Sequence, residues 1–297
     1  MAAPLHDAPR PWHESARLRA TYLPGRGRRL VVSFAGIGKP DAHRQSEEFV
    51  ASSHQDGRNH VLFVADTLRS WYNDPGIREE IVALVDAYRR RHAIEDTVTF
   101  GNSMGGYGAV LLAGALGARV CLALSAQYSA DPAVVPEEQR WREYRDRIAR
   151  FTCPPLEAAL SPECLYFVLH GGGRVERPHW SRFPSRPNLH HYLVGHAGHG
   201  VGRRLKAAGL MTLIAHHAIN ARPVAFRRAL AAAVEIRRAP RTPRTPRARG
   251  STPEPTPEPT PGPTPGPMPR PRPRPRPAQT PGLTPGQTPA AAPSPRG

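Results

Sequence analysis

The chain has 297 residues and a formal charge of +17, and its composition changes abruptly near residue 237. Residues 1–236 carry every aromatic side chain and suffice for one sizeable core; 237–297 hold 21 of the 36 prolines and eleven arginines against Glu254 and Glu258, and cannot bury one. With the +9 of that tail set aside, the rest is moderately basic, and its arginines are scattered rather than interleaved with aromatics, which argues against a dedicated nucleic-acid surface.

Cys121, Cys153 and Cys164 are odd in number, widely spaced and without a C-x-x-C pair, so neither a disulfide framework nor a zinc site is indicated. Cys121 and Cys164 sit in apolar runs and read as small core residues in a reducing compartment, and a cytoplasmic location is expected. The first dozen positions, with His6, Asp7, Arg10 and Pro11, do not read as a signal peptide, and no apolar run approaches membrane-spanning length.

In chain order, strand-length apolar runs fall at 30–35, 60–65, 97–100, 120–124, 165–169 and 189–194. Several are continuous rather than alternating, as in strands covered on both faces. Between the second and third, Ile77, Ile81, Leu84, Val85 and Tyr88 recur at helical spacing, which makes a strand-helix-strand crossover. Further helices are expected at 104–116, at 136–148 as a charged and largely solvated one, and at 201–218 and 223–236. The pattern predicts an α/β domain over 1–236, a mostly parallel doubly wound sheet flanked by helices, with functional groups at the carboxyl ends of the strands. A disordered Pro/Arg-rich tail is expected over 237–297.

Gly101-Asn102-Ser103-Met104-Gly105-Gly106 links the third run to an Ala/Leu-rich helix, the context of a nucleophile elbow. A serine hydroxyl is a poor nucleophile unless a tight turn exposes it beside a base and free helix-end donors, so Ser103 is the candidate nucleophile and the Met104 N–H a candidate oxyanion donor. The same glycines also read as plain tight packing between strand and helix or as a phosphate-binding loop; the last is disfavoured, because no lysine follows and the glycine spacing fits neither phosphate motif. The last strand runs into Gly195-His196-Ala197-Gly198-His199-Gly200, which offers two imidazoles: His199, in the loop just before a helix, is preferred as the base over His196 at the strand end. The acid that orients it belongs between 103 and 199 on a loop after a strand; Glu176 fits, with Asp131 the alternative.

With this elbow, Ser-acid-His order and Gly198-His199 after the final strand, the chain resembles the α/β-hydrolase superfamily over about residues 18 to 225. The resemblance implies a second oxyanion N–H from the loop after an early strand, here Ser33-Phe34-Ala35-Gly36-Ile37-Gly38; the usual His-Gly pair is missing, and Ala35 or Gly36 would serve. The loop with Arg69, Trp71, Tyr72 and Asn73 lies at the same sheet edge and reads either as a wall for a polar, sugar-like substrate or as a segment anchored by a buried Trp.

These readings lead to a serine hydrolase acting on an ester or related acyl bond of a small molecule or glycan, with no metal or organic cofactor. Two alternatives stay open: an O-acyltransferase acting on a glycan hydroxyl, and a non-catalytic binding protein that docks through its basic tail. For that tail, polyproline II is the natural state, and SH3-type domains or acidic polymers such as nucleic acid or anionic lipid are the partners its chemistry suits.

Overall fold

The computed structural model describes residues 8–39, 42 and 44–240. The elements run β1 (Arg10–Glu14), β2 (Leu18–Leu23), β3 (Arg29–Phe34), α1 (Val50–His54), β4 (His60–Asp66), α2 (Ile77–Arg91), β5 (Asp96–Asn102), α3 (Met104–Ala113) and β6 (Val120–Leu124). They continue with α4 (Arg142–Arg145), α5 (Leu156–Ala159), β7 (Leu165–Gly171), a 3-10 turn (Arg174–Glu176), α6 (Arg177–Trp180), β8 (Leu189–Val194), α7 (Val201–Ala207), α8 (Met211–Ile219), α9 (Pro223–Ala233) and β9 (Ile236–Arg238). Among them, no helix is long and apolar enough to cross a membrane.

The six apolar runs all form strands, and they pair in parallel in the order β4-β3-β5-β6-β7-β8. Antiparallel strands complete the sheet, β1 and β2 beyond β4 and β9 beyond β8. The fold is thus a mostly parallel, doubly wound α/β sheet flanked by helices. Its continuous apolar runs have a direct cause. Along β3, Leu30, Val32 and Phe34 face the layer containing α2 and α3, while Val31 faces the layer of α8 and α9, so both faces exclude water.

The register aligns Phe34 with Gly101 and Val64, Asn102 with Leu124, and Leu124 with Leu169, which brings the loops after β3, β4, β5, β6, β7 and β8 to one edge. At the centre of that edge β5 passes into α3 through a single residue, Ser103. Backbones touch here. A Cβ added at Gly101 would stand 2.1 Å from the Gly105 carbonyl oxygen, and one added at Gly105 would stand 2.1 Å from that of Phe34.

Four expectations change. β1 and β2 were not anticipated, because β1 is largely exposed and β2 only partly buried, so neither carries a continuous apolar run. The segment 136–148 is not one solvated helix: only Arg142–Arg145 is helical, Trp141 has φ 57°, and Glu138 and Arg145 are buried. Upstream of that short helix a side chain captures the backbone, the Arg140 N–H donating to Glu138 Oε1 at 2.7 Å, and Arg145 Nε donates to the Ala130 carbonyl at 2.8 Å. The helix expected over 201–218 breaks at Gly209, where φ is 68°. After Ala233 the chain turns extended into β9, so Arg237 and Arg238 belong to the sheet and the folded part passes the boundary expected at 236. The tail readings beyond residue 240 lie outside the described residues.

Gly105→Ala tests the contact between strand and helix. We expect a loss of about 3 kcal/mol or more in chemical denaturation, because the obstructing atoms are backbone and cannot rotate away; a loss below 0.5 kcal/mol, within the roughly neutral range, contradicts this packing.

Candidate active site

Ser103 has φ 57° and ψ −122°, a region that L-residues rarely occupy. It is pinned from both sides: its N–H donates to the Leu124 carbonyl at 2.9 Å, and its carbonyl accepts the Tyr107 N–H at 2.9 Å. Met104, Gly105 and Gly106 form the first turn of α3, so their N–H groups have no acceptor within the helix and carry the positive end of its dipole.

His199 and Glu176 meet this serine from two other loops. His199 Nε2 lies 2.8 Å from Ser103 Oγ, and His199 Nδ1 lies 2.9 Å from Glu176 Oε1. With the carboxylate accepting the Nδ1 proton, Nε2 presents a lone pair to the hydroxyl. The His199 loop is fastened by Ser125 Oγ, which donates to the His199 carbonyl at 2.9 Å. The alternatives lie elsewhere. His196 is 80% exposed and faces Glu235 at 3.4 Å, while Asp131 Oδ1 accepts the Ala133 N–H at 2.8 Å within its own turn.

Glu176 is fully buried, with one oxygen, Oε2, lacking any partner. Burial on its own pushes its carboxyl up, but the His199 hydrogen bond and the charges of His199, His170 and Arg140 outweigh that and hold it below the usual carboxylate range. Arg140 Nη1 reaches the same Oε1 at 3.2 Å, while its Nε and Nη2 face Glu138 at 2.9 and 2.5 Å. Glu138 Oε2 also accepts from His179 Nε2 at 2.8 Å, and the Tyr128 N–H donates to His179 Nδ1 at 3.0 Å. The Trp141 ring lies 5.0 Å from the His199 ring and 4.4 Å from the Arg140 guanidinium. None of Arg140, Trp141 and Glu138 was singled out from sequence, since a charge-rich stretch gives no sign of which charges will be buried.

The early loop differs from its expectation. The Ala35 N–H donates to the Val64 carbonyl at 2.9 Å, so it extends the sheet ladder and is not available to an oxyanion. The Gly36 amide faces the carboxyl of Glu48 and favours its charged form. Burial pushes Glu48 up to about 7, the Gly36 amide offsetting only part of the effect, and its Oε2 has no partner.

The loop after β4 is built inward. Asp66 Oδ2 accepts the Ser70 N–H at 2.8 Å, the Ser70 hydroxyl at 2.9 Å and the Tyr72 N–H at 3.0 Å, and burial raises this carboxyl to about 6 against those bonds. Trp71 and Tyr72 are fully buried core residues: Trp71 Nε1 donates to Gln127 Oε1 at 2.8 Å, and Tyr72 packs edge-on against Phe34 at 5.8 Å. Both side chains are thereby withdrawn into the core, as the reading anchored by a buried Trp expects. Asn73 Oδ1 accepts the Thr152 and Cys153 N–H groups at 2.7 and 3.0 Å. Arg69 acts on backbone, its Nε donating to the Ile37 carbonyl and its Nη2 to that of Ala42, both at 2.9 Å. Arg69 and Asn73 do border a surface cleft of about 620 Å³, opposite Tyr144, Arg147 and Arg150.

Glu48 gives a signed pH prediction. A carboxyl whose folded pKa stands above its unfolded value of 4.5 favours folding most at low pH, and that contribution is lost as pH rises from about 4.5 to about 7. Chemical denaturation from pH 5 to pH 8 should show Glu48→Gln losing roughly 2 kcal/mol less than wild type across that window; parallel stability curves contradict the burial of this group.

No family model matches the sequence, and no curated protein matches it either. Among solved structures, the chain is similar to the capsule O-acetyltransferase of Neisseria meningitidis serogroup A at 14% identity, covering 67% of this chain and 92% of that one with a TM-score of 0.45. It is also similar to a lidless α/β serine hydrolase from Xanthomonas campestris, at 13% identity over 74% of this chain and 96% of that one, with a TM-score of 0.46. A third similarity is to a glycosylation-associated protein complex from Streptococcus agalactiae, at 11% identity over 69% of this chain and 45% of that one, with a TM-score of 0.48.

Proposed function

We propose that the protein is a serine-dependent acyl-transfer enzyme that cleaves an ester through an acyl-enzyme on Ser103. The observation that carries this reading is the unbroken hydrogen-bond chain from Ser103 Oγ through His199 to buried Glu176, at 2.8 and 2.9 Å, on a turn that holds Ser103 at φ 57°. His199 Nε2 takes the hydroxyl proton as Oγ attacks the ester carbonyl, and Glu176 stabilises the imidazolium that results. The Met104 N–H receives the developing oxyanion; with Ala35 committed to the sheet, Gly36 is the early-loop donor, once substrate draws its N–H away from Glu48. His199 then returns the proton to the departing alcohol, and water assisted by the same imidazole releases the acid.

The same intermediate has a second outcome, in which the hydroxyl of a polar acceptor such as a sugar replaces water and takes the acyl group.

Turnover of p-nitrophenyl acetate by wild type, Ser103→Ala and His199→Ala tests the reading. Both variants should lose about a thousandfold or more in kcat while remaining folded; turnover within threefold of wild type in Ser103→Ala contradicts it. Adding a sugar acceptor and weighing the products by mass spectrometry separates hydrolysis from transfer.

A further inference from the structure

The segment Glu138 to Arg145 touches two of the three triad residues, Glu176 and His199. Arg140 reaches Glu176 and Trp141 stands against His199, while the Tyr144 ring lies 5.3 Å from the guanidinium of Arg69, which in turn holds the Ile37 carbonyl of the early loop. We propose that Arg140 is a positioning residue for the triad, directing the Glu176 carboxylate at His199 and sustaining its negative charge, and that Glu138 exists to aim Arg140. This rests on Ser103 being the nucleophile.

The atoms favour this role over plain structural burial. One carboxylate would neutralise the guanidinium, and Glu138 already does so through two of its nitrogens. The third nitrogen is thereby left pointing at the one Glu176 oxygen that His199 also uses. A planar fork can serve two carboxylates in fixed directions, which a lysine ammonium cannot do. Glu138 is itself oriented from three sides: His179 bonds its carboxylate, the Arg140 N–H bonds Oε1, and Arg145 Nη1 bonds its carbonyl at 2.5 Å. The Trp141 ring lies close to both Arg140 and His199, so the base and the guanidinium have a shared wall.

The charged and titratable groups around Glu176 are His199, His170 and Arg140, with Glu138 and His179 behind Arg140. Burial pushes His170 down to about 4, so it is uncharged near neutrality, and although burial opposes it, the bonds from His179 and Arg140 hold Glu138 down to about 2, so it remains charged. Arg140 is therefore the fixed positive neighbour of the carboxylate-imidazole pair, and removing it disfavours Glu176 as an anion and relieves the imidazolium of a like charge.

The test is the second-order rate of inactivation by a fluorophosphonate from pH 5 to pH 9, in wild type, Arg140→Gln and Arg140→Lys, with melting temperatures alongside. For Arg140→Gln we expect a rate lower by about tenfold and an acid limb displaced upward by about half a unit or more. Arg140→Lys should keep the wild-type acid limb, because it retains the charge, and fall between the two in rate, because it loses the fork. A wild-type acid limb in Arg140→Gln, or a displaced one in Arg140→Lys, overturns the proposal, and the second result decides even if Arg140→Gln does not fold. Wild type that fails to react overturns the serine reading and this proposal with it, whereas a reactive wild type with unaltered variants overturns the proposal alone.

Discussion

Everything at the functional edge depends on how closely β5 and α3 approach each other. The added-atom distances of 2.1 Å at Gly101 and Gly105 leave no room for a side chain, so strand and helix meet backbone to backbone and the connection shrinks to Ser103. A turn that short forces φ to 57°, a cost of order 1–3 kcal/mol that the Leu124 and Tyr107 hydrogen bonds and the buried length of α3 must offset. The strain points the hydroxyl out of the sheet edge instead of into the core. It also sets the free N–H groups of α3 beside it.

A second constraint is the desolvation of charge. Glu176, Glu138 and Arg145 are all buried, and Arg140 is only 25% exposed. Isolated, each would carry a penalty of several kcal/mol; together they form an alternating web in which each charge has an opposite neighbour or several hydrogen bonds. Such a web is directional. Replacing one member leaves its partner buried and unpaired, which ties the shape of the segment 138–145 to the electrostatics at His199.

The legible part of the chain was the part ruled by continuous burial. Runs such as Val120–Leu124 are apolar at every position because helices cover both faces, and that excludes alternatives to a parallel strand. Ser103, His199 and Glu176 stood out because the elbow glycines, the loop before a helix and the chain order each limit which residue can be where. Illegible features share a different physics. β1 and β2 sit at an edge with partial exposure, so periodicity is faint. Segment 136–148 has helix-forming residues whose side chains capture the backbone instead, and the fates of Trp71 and Tyr72 hinge on the buried Asp66 carboxylate that folds their loop inward. Arg140 acts across 36 positions of sequence, a distance at which neither spacing nor composition carries information.

The central claim is that the geometry around Ser103 activates that one hydroxyl among the serines of the chain. Intact-protein mass spectrometry after exposure to a fluorophosphonate, followed by peptide mapping, addresses it without knowledge of the substrate. The account predicts a single adduct on Ser103 that fails to form when His199 is alanine; a folded protein that stays unmodified, or an adduct on another residue, contradicts it.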